Sequence, residues 1–286
     1  MRTTQLEIVR GLTSQRFSDA YRACRPFVVR DAISHWPACQ HWTPQYFQRR
    51  YGDLTVITER YDPREKSSYL DQTLADIHQT LPLRQFLETL GSGDRRFALR
   101  EDTSLFARIP ELLDDLVRFS PFPVHGDSGY KALWVGPPEY VTGLHTDPGP
   151  TLLFQIHGRK QVLLFAPDQT PFLYEVDPAE RGRKFDTSIL QSRLDAAELS
   201  TLRDVVGWAK VEPFDPDLAR FPLFARATGI EGYLEPGDTL YIPDRWWHAV
   251  RSLEPAISVS VEPDFSCLDE AERTLVETDP LRQRSR

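Results

Sequence analysis

The chain has 286 residues, of which 40% are hydrophobic, 11% aromatic and 27% charged, and its formal net charge is −8. That length suits a single β domain, which often runs to roughly 200 to 250 residues, and no apolar run approaches the roughly 18 residues a membrane span needs. The acidic balance argues against non-specific attraction to a polyanion, whose affinity comes mainly from Lys and Arg neutralising phosphates, while a local basic groove stays open.

Along the chain, the opening MRTTQLEIVR lacks the apolar core and small-residue cleavage site of a secretory signal, so the expected location is cytoplasmic. Cys24, Cys39 and Cys267 are odd in number, widely spaced and without a CxxC pair, which predicts reduced structural thiols. There is no internal repeat, and the 23 prolines are scattered as punctuation. A single domain over 1–286 is expected: a helical and short-strand part at 1–125, a β core at 130–263 carrying an insert at about 170–230, and a tail at 267–286.

In the first part, SQRFSDAYRAC, TPQYFQRRYG, LPLRQFLETLG and IPELLDDLVRF carry apolar residues at three- and four-residue spacing and predict helices. PFVVRDA and LTVITERY predict strands between them. From about residue 130 the texture turns to short β-rich runs, YKALWVG, YVTGLHT, TLLFQIHG, KQVLLFAP, GYLEPGDTLYIP, WWHAVRSL and AISVSVEP. LLFQIHGRKQVLLF predicts a hairpin turning at Gly158. The insert contains LDAAELSTLRDVVGWA, whose apolar spacing predicts a helix, and insertions of this size over a barrel mouth are commonly lids or substrate-binding elements.

The chemistry concentrates in the β part. His145-Thr146-Asp147 places an imidazole and a carboxylate on one face of an extended segment, because residues i and i+2 point the same way. His248 lies in a later run of the same region, DRWWHAV. Two imidazoles and one carboxylate leave open positions on an octahedral metal, as in non-haem iron(II) oxygenases. Taken alone, HxD is also what a strand-capping histidine and a turn aspartate before Pro148 produce. His35, His41, His78, His125 and His157 are assigned surface or packing roles. Lysine is rare, being Lys66, Lys131, Lys160, Lys184 and Lys210 among 34 basic residues. Lys160 sits on the second arm of the hairpin, where its ammonium either pairs with an acid group of a bound cosubstrate or stands solvated on the outer face.

These residues carry a resemblance. PFVVRDAISHWPACQHWTPQYFQRRYGD, VTGLHTDPGPTLLFQIHGRKQVLLFAP and FPLFARATGIEGYLEPGDTLYIPDRWWHAVRSLEPAISVSV, in that order, resemble the small JmjC-type, cupin-fold oxygenases of the factor-inhibiting-HIF-like group over roughly residues 15–263. The resemblance implies a mainly β fold with flanking helices: a double-stranded β-helix, or jelly-roll, core with a helical N-terminal region and a helical insert. It implies iron(II) ligation by His145, Asp147 and His248, with Thr142 and Lys160 holding the distal carboxylate of 2-oxoglutarate and dioxygen as the oxidant. Family members often carry asparagine where this chain has Thr151 and another polar residue, sometimes asparagine, near Ser260, both tending to face the metal-bound end of the cosubstrate, and a tyrosine upstream where this chain has Phe97. Trp246, Trp247 and the Pro236-Gly237-Asp238 turn are read as structural.

The implied activity is hydroxylation of a side chain in a protein or peptide, with N-methyl demethylation less favoured. The alternatives are a tRNA base or a small molecule such as a free amino acid as substrate, or a cupin-like binding protein without turnover. RGRK at 181–184 is too short to argue for RNA, and degenerate binders would be expected to lose a ligand or the lysine. Asp177, Glu180, Asp186, Asp204, Glu212, Asp215 and Asp217 suit either a basic peptide or a solvated surface. Trp208, Phe214, Phe221 and Phe224 are read as core beneath the lid rather than a binding wall. Monomer and dimer both stay open.

Overall fold

The computed structural model describes residues 1–60, 78–92, 97–117, 131–177 and 207–262. In these segments the β pattern of the second half forms strands β7 (Lys131–Gly136), β8 (Val141–His145), β9 (Thr151–His157), β10 (Lys160–Phe165), β11 (Thr228–Leu234), β12 (Thr239–Ile242), β13 (Trp247–Ser252) and β14 (Ala256–Val261). They divide between two sheets. Strands β11-β10-β13-β8 are neighbours in one, and β12-β9-β14-β7 in the other, all antiparallel. Strands alternating between two facing sheets in this way make the double-stranded β-helix expected from the sequence.

The central strands β9, β10, β12 and β14 are buried on both faces, which explains why they read as continuous apolar runs rather than as alternation. On β10, Val162 and Leu164 join the cluster between the sheets with Leu153, Leu240 and Trp246. Leu163 and Phe165, one step out of phase, join Trp247, Phe221 and Phe224 in the layer that covers the outer face of the smaller sheet. On β9, Leu152, Phe154 and Ile156 turn outward into the largest cluster, with Phe17, Trp36, Trp42 and Phe86 from the N-terminal half.

That half contributes more strand than its sequence suggests. β1 (Arg2–Gln5) adds in parallel to β11, and β2 (Glu7–Val9) adds in parallel to β3 (Phe27–Val29), which pairs with β12. β4 (Thr55–Arg60), β5 (His78–Pro82) and β6 (Phe97–Asp102) extend the larger sheet beyond β7. Helix α1 (Ser14–Arg22) starts where Thr13 accepts a hydrogen bond from the Arg16 amide, and α3 (Pro44–Tyr51) where Thr43 accepts from Tyr46, the capping chemistry the sequence signals. An unforeseen short helix, α2 (Pro37–His41), lies between them.

Two predicted helices change. Leu81-Pro82 belong to β5, so α4 begins at Leu83 and runs to Ser92. IPELLDDLVRF gives only a 3-10 turn at Pro110–Leu113, because Asp115 is held by tertiary bonds: its carboxylate accepts from the Trp42 indole at 2.8 Å and its carbonyl from the Ala38 amide. The predicted insert helix falls mostly at 194–206, outside the described residues, as do the 267–286 tail and Cys267. Cys24 and Cys39 are free thiols. Among the described residues no helix is long and apolar enough to cross a membrane.

Two turns support the core. Asp238, fully buried, receives the Asp31 and Glu235 amides and the Arg30 guanidinium, tying β3 to the turn that feeds β12. Gly158 closes the β9–β10 hairpin with φ of 69°, and a Cβ there would meet the Pro255 carbonyl oxygen at 2.2 Å. Gly158→Ala is therefore expected to destabilise the fold by about 1–3 kcal/mol, read as a lower urea midpoint at unchanged slope. An unchanged midpoint would show that the hairpin relaxes.

Candidate metal centre

A cavity of about 140 Å³ opens at one end of the β-helix, and His145, Asp147 and His248 all line it. His145 ends β8 and His248 lies opposite it on β13. One ligand atom from each of the three groups falls within a 4.8 Å cluster. The Nε2 atoms of His145 and His248 stand 3.6 and 3.5 Å from the two Asp147 oxygens. Each Nδ1 lies within hydrogen-bond distance of a backbone carbonyl, His145 of Gly143 at 2.8 Å and His248 of Trp246 at 3.0 Å. A ring that donates from Nδ1 keeps Nε2 as the lone-pair donor, so both free nitrogens face the carboxylate.

The electrostatics agree with a neutral donor at His145. Burial, then the neighbouring His248, pushes the His145 imidazole far below its ordinary value, against the pull of Asp147. Burial raises the Asp147 carboxyl, but His248, His145 and the Thr151 hydroxyl outweigh it and hold the group below the usual carboxylate range. Two buried imidazoles around one carboxylate are the donor set of a divalent cation with open positions. The residues present therefore fit a metal.

Thr142 reaches this wall through an irregularity the sequence does not announce. Thr142 and His145 are three residues apart and would face opposite ways on a regular strand. The register of β13 on β8 shifts between His248, opposite His145, and Val250, opposite Thr142. The resulting bulge turns Leu144 outward into the covering layer and leaves both Thr142 and His145 on the cavity. Thr151, at the start of β9, donates its hydroxyl to Asp147 Oδ2 at 3.0 Å. Thr151→Val is expected to weaken metal binding roughly tenfold by freeing that carboxylate, measurable by anaerobic cobalt(II) titration. Retained affinity would mean that the two imidazoles alone fix Asp147.

Lys160 begins β10 on the same inward face as Val162 and Leu164, and is 6% exposed within the cavity. Among the described residues it has no ion-pair partner, and burial lowers its ammonium to about 7. Its solvated alternative is thereby excluded. Ser260 on β14 lines the cavity and accepts the Trp134 indole at 2.8 Å. Phe97 packs against the largest core cluster instead of lining the cavity.

Sequence reasoning missed several wall residues. Arg100 and Glu101 are adjacent on β6 yet both face the cavity, because the β6–β7 register shifts between Leu99 and Asp102 and Glu101 takes a left-handed φ of 50°. Glu262 follows β14; burial, then Asp147 and Glu101, pushes its carboxyl up to about 7. Trp208, read from sequence as core beneath a lid, is 4% exposed and stacks on His145 with ring centroids 4.8 Å apart. Phe221 and Phe224 do pack as core, with Phe214 beside them. Trp246 and Trp247 are buried around the His248 strand as expected.

A double-stranded β-helix with two histidines and a carboxylate at one mouth defines the class. The chain belongs to the cupin-like domain family, whose profile matches residues 13–262. It is 30% identical to lysine-specific demethylase 8 of Xenopus tropicalis, over 86% of this chain and 50% of the relative. It is 26% identical to the human bifunctional peptidase and (3S)-lysyl hydroxylase JMJD7, over 82% of this chain and 76% of the relative. With human HSPB1-associated protein 1 the identity is 35%, over 83% and 47%. The chain thus spans about half the length of two of these relatives.

Proposed function

We propose that the chain is an iron(II) and 2-oxoglutarate dependent oxygenase that hydroxylates a side chain of a protein or peptide. The observation that carries this reading is one cavity holding both the His145, Asp147, His248 donor cluster and the buried ammonium of Lys160. A divalent cation accounts for the first and a carboxylate of a small dicarboxylic cosubstrate for the second.

When bound, iron with 2-oxoglutarate supplies the oxidative decarboxylation that drives C–H hydroxylation. The protein's residues do the holding. His145, Asp147 and His248 ligate the metal, and Thr151 orients Asp147 through its hydroxyl. Lys160 and Thr142, on the cavity wall, would bind the distal carboxylate, and Ser260, fixed by Trp134, would contact the cosubstrate from the same wall. Leu153, Ile242 and Val250 line the cavity as apolar walls and would help to exclude water when it is filled. The relatives' names include a lysyl hydroxylase and lysine-specific demethylases, which support a protein substrate. The region 172–224 is the expected recognition element, of which 178–206 lies outside the described residues.

The test is anaerobic loading with iron(II) and 2-oxoglutarate, then admission of air. Succinate release is expected, followed in a peptide screen by a mass gain of one oxygen. Formaldehyde release would reassign the reaction to demethylation, and metal binding without any 2-oxoglutarate binding would leave a binding protein.

A further inference from the structure

Residues 207–210 are clipped to the end of the metal-ligand strand. The Thr146 amide donates to the Gly207 carbonyl at 2.9 Å, the Gly207 amide to the Thr146 hydroxyl at 2.7 Å, and the Ala209 amide to the Leu144 carbonyl at 2.9 Å. On its other side the Val176 amide donates to the Trp208 carbonyl at 2.7 Å and the Lys210 amide to the Tyr174 carbonyl at 2.9 Å. Residues 208 and 209 are therefore an extra rung beside β8, with Trp208 opposite His145. No freedom is left at Gly207, where a Cβ would meet the Thr146 hydroxyl and the Trp247 ring, each at 2.9 Å.

The rung brings the Trp208 indole nearly parallel to the His145 imidazole, at 15°. The Arg100 guanidinium lies 5.2 Å from the indole centroid, within cation–π range. Arg100 in turn stands 3.5 Å from the buried Glu59 carboxylate, which accepts the Tyr140 hydroxyl at 3.3 Å. A rigid line of contacts thus runs from Tyr140 through Glu59, Arg100 and Trp208 to one ligand ring.

We propose that Trp208 is a positioning residue for the metal: stacked on His145 and held by Arg100, it fixes the tilt of the ligand imidazole about the single hydrogen bond at Nδ1. One backbone hydrogen bond leaves a ring free to rock about it, and the stacked indole removes that motion. Partners beyond the ligands of this kind typically change metal affinity by about 10- to 100-fold. The inference rests on the metal centre proposed above but not on the identity of cosubstrate or substrate.

The test is anaerobic titration of the apoprotein with cobalt(II), following its visible absorption bands, in wild type, Trp208→Leu and Trp208→Phe. Leucine fills space without a ring face and phenylalanine keeps one. Trp208→Leu is expected to bind cobalt(II) roughly tenfold more weakly with altered bands, and Trp208→Phe to stay within about threefold of wild type. Wild-type affinity and bands in Trp208→Leu overturn the inference, as does a Trp208→Phe protein as weak as the leucine variant. If Trp208→Leu does not fold, Arg100→Met, which leaves the indole but removes its clamp, takes its place: weaker binding supports the inference and unchanged binding overturns it. Wild-type protein that binds no cobalt(II) at all overturns the metal centre itself, a result distinct from any difference among the variants.

Discussion

Replacing His145 with alanine is expected to abolish metal-dependent succinate formation, with a loss of at least about a hundredfold in metal affinity. The figure is a lower bound, because roughly 10- to 100-fold is what removal of a mere outer partner costs. Among the described residues His145 is one of three donors in the cluster, and its Nε2 stands 3.6 Å from Asp147. Without it the remaining imidazole and carboxylate cannot span one face of an octahedral ion. The checks are cobalt(II) titration and a succinate assay on the same preparation, with circular dichroism to show that the β core has formed. Succinate release within a few-fold of wild type would sink the ligand assignment.

Lys160→Met is expected to have two opposite effects, loss of 2-oxoglutarate binding and gain of stability. In the variant a cosubstrate carboxylate would enter the pocket without the ammonium that pairs with it, and breaking a buried ion pair from one side costs about 3–5 kcal/mol, so affinity falls roughly a hundredfold or more. Without cosubstrate the same ammonium is a burden. Burial lowers it from 10.5 to about 7. A cation whose folded-state value lies below its unfolded value destabilises the fold fully below the folded value. Between the two values the unfolded chain binds the extra proton, so stability rises with pH. The variant's advantage should therefore be full below about pH 7 and fade between pH 7 and 10.5. Its size is on the order of 5 kcal/mol before differences in packing. Thermal midpoints of the apoprotein across that range, alongside 2-oxoglutarate titrations at neutral pH, separate the two effects. A variant less stable than wild type at every pH would show that Lys160 meets a counter-charge in the apoprotein.

Several of these features could be read from residue spacing because they depend on local geometry. HxD on an extended segment puts His145 and Asp147 on one side, and Gly158 marks a hairpin because a left-handed turn admits little else. The alternation in KQVLLF places Lys160 on the same face as Val162 and Leu164, although which face is inward was not legible until the sheets were seen packed. His248, some hundred residues away, was joined to the HxD pair by its place in the later run DRWWHAV, and the resemblance agreed with that partnership.

Other features depended on contacts between distant segments. Thr142 reaches the cavity only because β8 bulges against β13. Arg100 and Glu101 do so only because β6 slips on β7, and Trp208 only because its backbone is hydrogen-bonded beside Leu144 and Thr146. The same holds for IPELLDDLVRF, whose helical spacing gave way to a single turn once Asp115 bonded to Trp42 and the Ala38 amide. By itself the residue spacing determined a β-rich core, the donor residue types and the tight turns, since side-chain periodicity and backbone sterics act within a few residues, while the β-helix topology was what the resemblance implied. Only the tertiary structure decided which residues line the cavity, because a one-residue shift in strand pairing reverses the face of every side chain beyond it.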